Sequence, residues 1–225
     1  MATCAAHRGC DLLDLEELKR IYNVRRREIR DRLNEFARVG RTGSQEQLFE
    51  ELTFCIFTAG ASARMGLRSV ESVRPVLMGG TLADIRGALI GRHRFPNNRA
   101  AYVFETREYL QERCGLELHG TLRSFRIPDE RRDFLAANRN IRGIGYKEAS
   151  HFLRNIGYRG YAILDKHLLS RLAEFGVIES SKPPSTKASY VATEDKLKRF
   201  ADSIGIDFDE LDLLLWFTKT GEILK

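Results

Sequence analysis

IRGIGYKEASHFLRNIG, residues 141–157, reads as a tight Gly-x-Gly turn (Gly143, Gly145) that opens at once into a helix. Ala149, Phe152, Leu153 and Ile156 form one apolar stripe at helical spacing, and Gly157 is the expected residue just past the helix end. Upstream, a helix begins at Pro128, a favoured first helical position, and is expected to end near Asn138–Asn140. Two helices joined by such a turn make a helix-hairpin-helix. Glycine permits backbone conformations and close approaches that a side chain would block. The free N–H groups at the start of the second helix then favour an anion. Set against DNA, they would hold a phosphate without reading sequence. The same turn also serves as a plain connection between two helices. A dinucleotide site fits poorly, because the run is G-x-G-x-x-E and a helix, not a strand, precedes it.

Working outward, helical periodicity dominates. Leu12, Leu15, Leu18 and Tyr22 mark a first amphipathic stretch, followed by Ile29, Leu33 and Phe36. The arginines among them (Arg25, Arg26, Arg27, Arg30, Arg32) read as a solvated face. Leu48, Leu52 and Ile56 lead into TFCIFTA, a buried central helix. Thr81 and Asp84 form a capping-box variant ahead of Leu82, Ile85 and Leu89. GRHRFPNN is a turn before a helix over Ala100–Arg113. Asp165 reads as the N-cap of KHLLSRLAEFG. ESSKPPSTKAS, residues 179–189, is the one evident linker, and helices around Leu197–Ile204 and Leu211–Thr218 close the chain. Period-2 strands are missing, so the fold class is all-α, with about ten helices and no internal repeat.

Composition narrows the class. Of 225 residues, 43% are hydrophobic and 30% charged, an ordinary globular balance that excludes wholesale disorder. A net charge of +6 permits a polyanion partner without establishing one. No apolar run approaches the roughly 20 residues that span a bilayer. The acidic N-terminal stretch lacks the continuous apolar run of a signal peptide, so an intracellular protein of the cytoplasm or nucleoid is expected. Cys4, Cys10, Cys55 and Cys114 are scattered and read as reduced thiols. Cys114, His119 and the remaining histidines (His7, His93, His151, His167) share no spacing suited to zinc. The Walker phosphate loop and the G-x-S-x-G nucleophile motif are both absent.

Two residues stand out for chemistry. Lys147 falls in the first turn of the hairpin's second helix, where the helix dipole disfavours a cation and so favours the neutral amine a nucleophile needs. Asp165 lies 18 positions on. About eleven helical residues carry the chain roughly 16 Å away, and eight extended ones could return about 26 Å, so the two can meet. An exposed lysine and a capping aspartate would carry the same sequence.

GIGYKEASHFLRNIGY followed by AILDKHLL resembles the helix-hairpin-helix/Gly-Pro-Asp superfamily of DNA glycosylases, and within it the archaeal-type 8-oxoguanine DNA glycosylase/AP lyase class. The likeness is densest over residues 139–171 and extends through GRHRFPNNRAAY to LDLLLWFTKTGEILK. It implies a two-lobed fold: a central lobe over 43–159, an outer lobe combining 1–42 with 160–225, and the active site in the cleft between them. It makes Lys147 the Schiff-base nucleophile and Asp165 its partner. Arg142, Gly143, Ile144 and Gly145 would hold DNA phosphate. Phe95 and Trp216 would stack on the flipped base, and the carboxylate of Lys225 would accept the N7 hydrogen that distinguishes 8-oxoguanine from guanine. The implied activity is excision of 8-oxoguanine from double-stranded DNA by a monomer, with strand cleavage 3′ to the lesion by β-elimination.

The sequence departs from the superfamily in places. Arg142 stands where proline often precedes the first glycine, and a phosphate contact is expected from it. FTAGAS offers Ala59, Gly60 and Ala61 where many relatives carry an Asn or Gln that probes the gap left by the base. No cysteine follows Cys114, so the iron–sulfur loop of endonuclease III-like members cannot form. No cofactor is expected beyond a monovalent cation that carbonyls of the hairpin turn could hold. Two other readings keep the hairpin: a glycosylase for oxidised pyrimidines, and a non-enzymatic DNA-binding module that has no use for Lys147 and Asp165.

Overall fold

Side-chain caps set most of the helix starts. The computed structural model describes residues 13–224. Its first helix, α1 (Leu15–Thr42), starts where the Asp14 carboxylate accepts from the Glu17 N–H. Ser44 and Gln47 close a capping box ahead of α2 (Gln45–Thr58). Ser62 caps α3 (Ala63–Val73), which runs into a 3-10 turn at Arg74–Val76. Thr81 and Asp84 form the expected box on α4 (Leu82–Leu89). Then follow α5 (Pro96–Cys114), α6 (Leu118–Ser124), α7 (Pro128–Ala136), α8 (Tyr146–Asn155), α9 (Lys166–Glu174), α10 (Lys187–Ile204) and α11 (Phe208–Thr220). No strand occurs among the described residues, in keeping with an all-α chain. None of the helices is long and apolar enough to cross a membrane.

Several boundaries move from their expected places, each for a local reason. Pro96 does not precede its helix but opens it at the first position, with Phe95 as N-cap. α7 stops at Ala136 because Asn138 turns the chain, its side-chain oxygen accepting from the Asn140 N–H at 3.0 Å. The Ser- and Pro-rich linker is shorter than its composition suggests. Thr186 and Ser189 cap each other, so Lys187 already belongs to α10. The two N-terminal amphipathic stretches are one helix of 28 residues. Leu15 and Leu82, read as stripe members, are exposed at the helix starts. Cys4, Cys10, His7, Leu12 and Lys225 lie outside the described residues.

The apolar stripes converge on two hydrophobic cores. One gathers α2 to α8 around Phe49, Phe54, Phe57, Phe152 and Leu153, all at most 1% exposed. Truncating any of these phenylalanines to Ala would cost about 3–5 kcal/mol. The other joins α1 to α9, α10 and α11 through Leu18, Ile29, Leu172, Leu197 and Leu214. The C-terminal end of α1 leans on the first core, where Val39 packs. There the two backbones touch: a Cβ on Gly40 would lie 1.8 Å from the Ile156 carbonyl oxygen, and one on Gly157 2.6 Å from the Ala37 Cα. Gly157, at φ +84°, also supplies the left-handed turn that ends α8, with Tyr158 N–H returning to the Leu153 carbonyl at 2.9 Å. This contact fixes the far end of the helix whose near end carries Lys147.

Candidate active site

The hairpin is anchored from beneath. Arg142 N–H donates to the buried Thr106 hydroxyl at 2.9 Å, and Ile144 inserts into the first core. Gly143 adopts φ +74°, and a Cβ there would sit 2.6 Å from the Tyr102 ring, so both its conformation and its packing require glycine. Gly145 is the N-cap of α8 in extended conformation. It has no side chain to cap with, so the reciprocal bond comes from Glu148, whose Oε2 accepts from Gly145 N–H at 3.3 Å. The Arg142 side chain is half-exposed, with Nε 3.6 Å from Glu105 and its guanidinium over the Tyr102 ring.

Lys147 projects from the first turn of α8, and its Nζ lies 2.9 Å from Glu148 Oε1. Glu148 therefore serves both the hairpin backbone and the lysine. Asp165 caps α9, accepting from the N–H groups of His167 and Leu168, each at 2.8 Å. Both bonds land on Oδ1, so Oδ2 takes no part in the cap. The segment 160–164 leading to Asp165 has no regular structure, yet most of it is buried. Buried backbone donors need partners, and here side chains of the C-terminal helices supply them. Gly160 donates to Asp209 Oδ1 (2.9 Å), Ala162 to Glu194 Oε1 (2.7 Å), Ile163 to Asp212 Oδ1 (3.0 Å) and Leu164 to the Tyr190 hydroxyl (3.3 Å). Each carboxylate is also ion-paired: Asp209 with Arg159, Glu194 with Arg132, and Asp212 with Arg154.

Lys147 and Asp165 line one cleft of about 1050 Å³, the upper end of the range for small-molecule pockets. Its walls come from helices of both cores, including Thr58, Arg64 and His151 on one side and Asp212 and Trp216 on the other. Burial pushes the Asp212 carboxyl up to about 6 despite the opposing Arg154 charge and the Ile163 N–H. Burial likewise raises the Tyr190 phenol. Among the described residues no group of three or more His, Cys, Asp or Glu is placed to hold a metal ion. An amine and a carboxylate facing one cavity are the parts needed for imine chemistry at an electrophilic carbon.

The family model described as 8-oxoguanine DNA glycosylase matches residues 29–206. The chain belongs to this family. It is 38% identical to the 8-oxoguanine DNA glycosylase/AP lyase of Korarchaeum cryptofilum, over 94% of this chain and 97% of that protein. The crystal structure of the 8-oxoguanine DNA glycosylase of Thermotoga maritima superposes with a TM-score of 0.82 at 35% identity, covering 94% of this chain and 98% of that one. A Methanocaldococcus jannaschii 8-oxoguanine glycosylase/lyase, solved in complex with DNA containing 8-oxoguanine, gives 0.84 at 32% identity, covering 94% and 99%.

The other candidate residues fall in different places. Trp216 lines the cleft, as does Gly145, whereas Arg142, Gly143 and Ile144 are not among its walls. Phe95 is 39% exposed and outside the lining, but its neighbour Arg94, whose guanidinium sits 4.4 Å over the Phe95 ring, is part of it. His93 bridges the Phe57 carbonyl and the Phe95 N–H, at 2.9 and 3.0 Å, fixing that turn. Lys225 lies outside the described residues; Leu224, before it, lines the cleft. Sequence reading missed Glu148, Arg154 and Asp212. The G-x-G-x-x-E spacing signalled the first, but nothing local pairs Arg154 with an aspartate 58 positions away.

Proposed function

We propose that this chain excises 8-oxoguanine from double-stranded DNA and cleaves the strand at the resulting site, with Lys147 as nucleophile and Asp165 as its partner. The observation that carries the assignment is the convergence of both side chains on one cleft, at the N-terminus of the hairpin helix. A base stacked in a duplex is out of reach, so the damaged nucleotide must swing into that cleft. The first-turn N–H groups of α8, with Arg142, would hold the neighbouring phosphates. In this reading the cleft separates a central lobe, residues 43–159, from an outer lobe that combines 1–42 with 160–225; the two hydrophobic cores support the division, except that Val39 and Tyr161 pack with the first.

Lys147 must leave Glu148 and lose a proton before it attacks C1′, and Glu148 is placed to take that proton. As the C1′–N bond breaks, Asp165 Oδ2, unused by the cap, stabilises the positive charge on the sugar. The amine and the opened sugar form an imine. Loss of a C2′ proton then expels the 3′ phosphate, and hydrolysis of the imine frees the lysine. Trp216 supplies a flat face for the base, and Phe95 a second one from the rim. The Lys225 carboxylate accepts from N7–H of the lesion; facing guanine it would meet a lone pair instead, a mismatch of about 1–3 kcal/mol.

Borohydride trapping on a duplex carrying one 8-oxoguanine tests the reading. The native protein yields a covalent adduct and Lys147→Gln yields none. An adduct of equal yield from Lys147→Gln would reassign the nucleophile. DNA binding without any adduct from the native protein would favour a pure binding module.

A further inference from the structure

The Arg154–Asp212 pair connects the two chain segments that carry the reacting groups. Arg154 lies on α8 seven residues after Lys147, two helical turns along one face. Its Nη1 donates to Asp212 Oδ2 at 2.9 Å, while Asp212 Oδ1 accepts from Ile163 N–H at 3.0 Å, two residues before Asp165. Both side chains line the cleft and both are buried, at 5% and 2% exposure. The Arg154 guanidinium also lies over the Phe36 ring of α1, which limits its freedom to shift. Asp212 sits on α11 one turn before Trp216, so a single carboxylate ties the lysine's helix, the aspartate's segment and the tryptophan's helix.

Net stabilisation is a poor explanation for such a pair, because a buried ion pair returns little beyond its own desolvation. Fixing distance is a better one, since misplacing a reacting group by about 1 Å can cost a hundredfold in rate. We propose that Asp212, oriented by Arg154, is a positioning residue that holds Asp165 in register with Lys147. The inference rests on the assignment of Lys147 and Asp165 given above.

A double-mutant cycle on single-turnover 8-oxoguanine excision separates this role from a merely structural one. Asp212→Asn lowers the rate about tenfold or more while the Kd for the same duplex stays within about twofold. In an Asp165→Asn background, where asparagine still caps α9, Asp212→Asn has little further effect, because the group it positions is gone. Equal fold losses in both backgrounds, or a loss confined to Kd, would overturn the inference and leave the reading of Lys147 and Asp165 intact. Undiminished excision by Asp165→Asn alone would overturn both. Asp212→Asn strands the Arg154 charge, so Arg154→Gln is carried through the same cycle. That variant is the better tolerated, because Asp212 can take up a proton where arginine cannot shed one, and it must show the same non-additivity.

Discussion

Gly40→Ala tests the contact between α1 and the end of the hairpin helix. Gly40 lies in the last turn of a 28-residue helix, where alanine is intrinsically better by at most about 1 kcal/mol. Against that gain, the new Cβ would fall 1.8 Å from the Ile156 carbonyl oxygen and 2.7 Å from its carbon, whereas ordinary contacts begin near 3.4 Å. The obstacle is backbone, which no rotamer change removes. The helices must therefore separate by more than an ångström, disturbing the packing of Val39 and Ile156. Overpacking of this kind costs about 1–3 kcal/mol where side chains can yield, and here they cannot, so a net loss of about 2 kcal/mol or more is expected. For a chain of this size that lowers the thermal midpoint by roughly 4–8 °C. Gly87→Ala is the matched control. Gly87 lies inside α4, exposed, with nothing within 4 Å of its added Cβ. It should gain about 0.5–1 kcal/mol from propensity alone. Urea titrations of both variants give the two signs directly. A Gly40→Ala protein as stable as Gly87→Ala would refute a backbone contact between α1 and the end of α8.

Two other sites probe charged groups, Arg132 in the interior and Glu174 at the surface. Arg132 is 1% exposed and paired with Glu194 and Asp129 at 3.0 and 2.7 Å. Arg132→Met leaves Glu194 charged and buried, a loss of about 3–5 kcal/mol that calorimetry should register as a midpoint roughly 10 °C lower. Adding Glu194→Gln should recover part of it. Glu174 has a different character. Partial burial would raise its carboxyl, but bonds from Lys219, Ser170 and Arg171 outweigh this and bring it down to about 2. A depressed carboxylate stabilises the fold above its unfolded value near 4.5, and that contribution disappears as pH falls from about 4.5 toward 2. The full shift converts to about 3 kcal/mol, which solvent exposure reduces to about 1. Urea midpoints of native protein and Glu174→Gln should differ at pH 6 and draw together as pH falls toward 2.

Local signals carried much of the fold. Thr81 with Asp84, Asp165 ahead of KHLL, and Gly157 after an apolar stripe each announce a helix end through a bond closed within three or four residues. The family resemblance, dense around GIGYKEASHFLRN, brought Lys147 and Asp165 forward together. What stayed hidden depends on contacts far along the chain. α6 is seven residues long and offers no stripe to read, being seated by Leu118 and Leu122 against the first core. Thr186 and Ser189 look like linker because serine and threonine serve caps and loops alike. The partners of the 160–164 backbone lie 26 to 49 positions downstream. No periodicity reports which arginine meets which carboxylate.

The side-chain support of residues 160–164 also bears on the order in which the molecule is assembled. Four of its amide protons are claimed by Tyr190, Glu194, Asp209 and Asp212, all in the last sixth of the sequence. A growing chain can complete the hairpin and the first core while these partners are still unmade, since the residues of that core end at Tyr161. Until they arrive, the segment that leads to Asp165 lacks its anchors. On the proposed assignment, a nascent or truncated chain would thus carry the hairpin turn and Lys147 before Asp165 is anchored, and the geometry for breaking a strand would form only once α10 and α11 have been made.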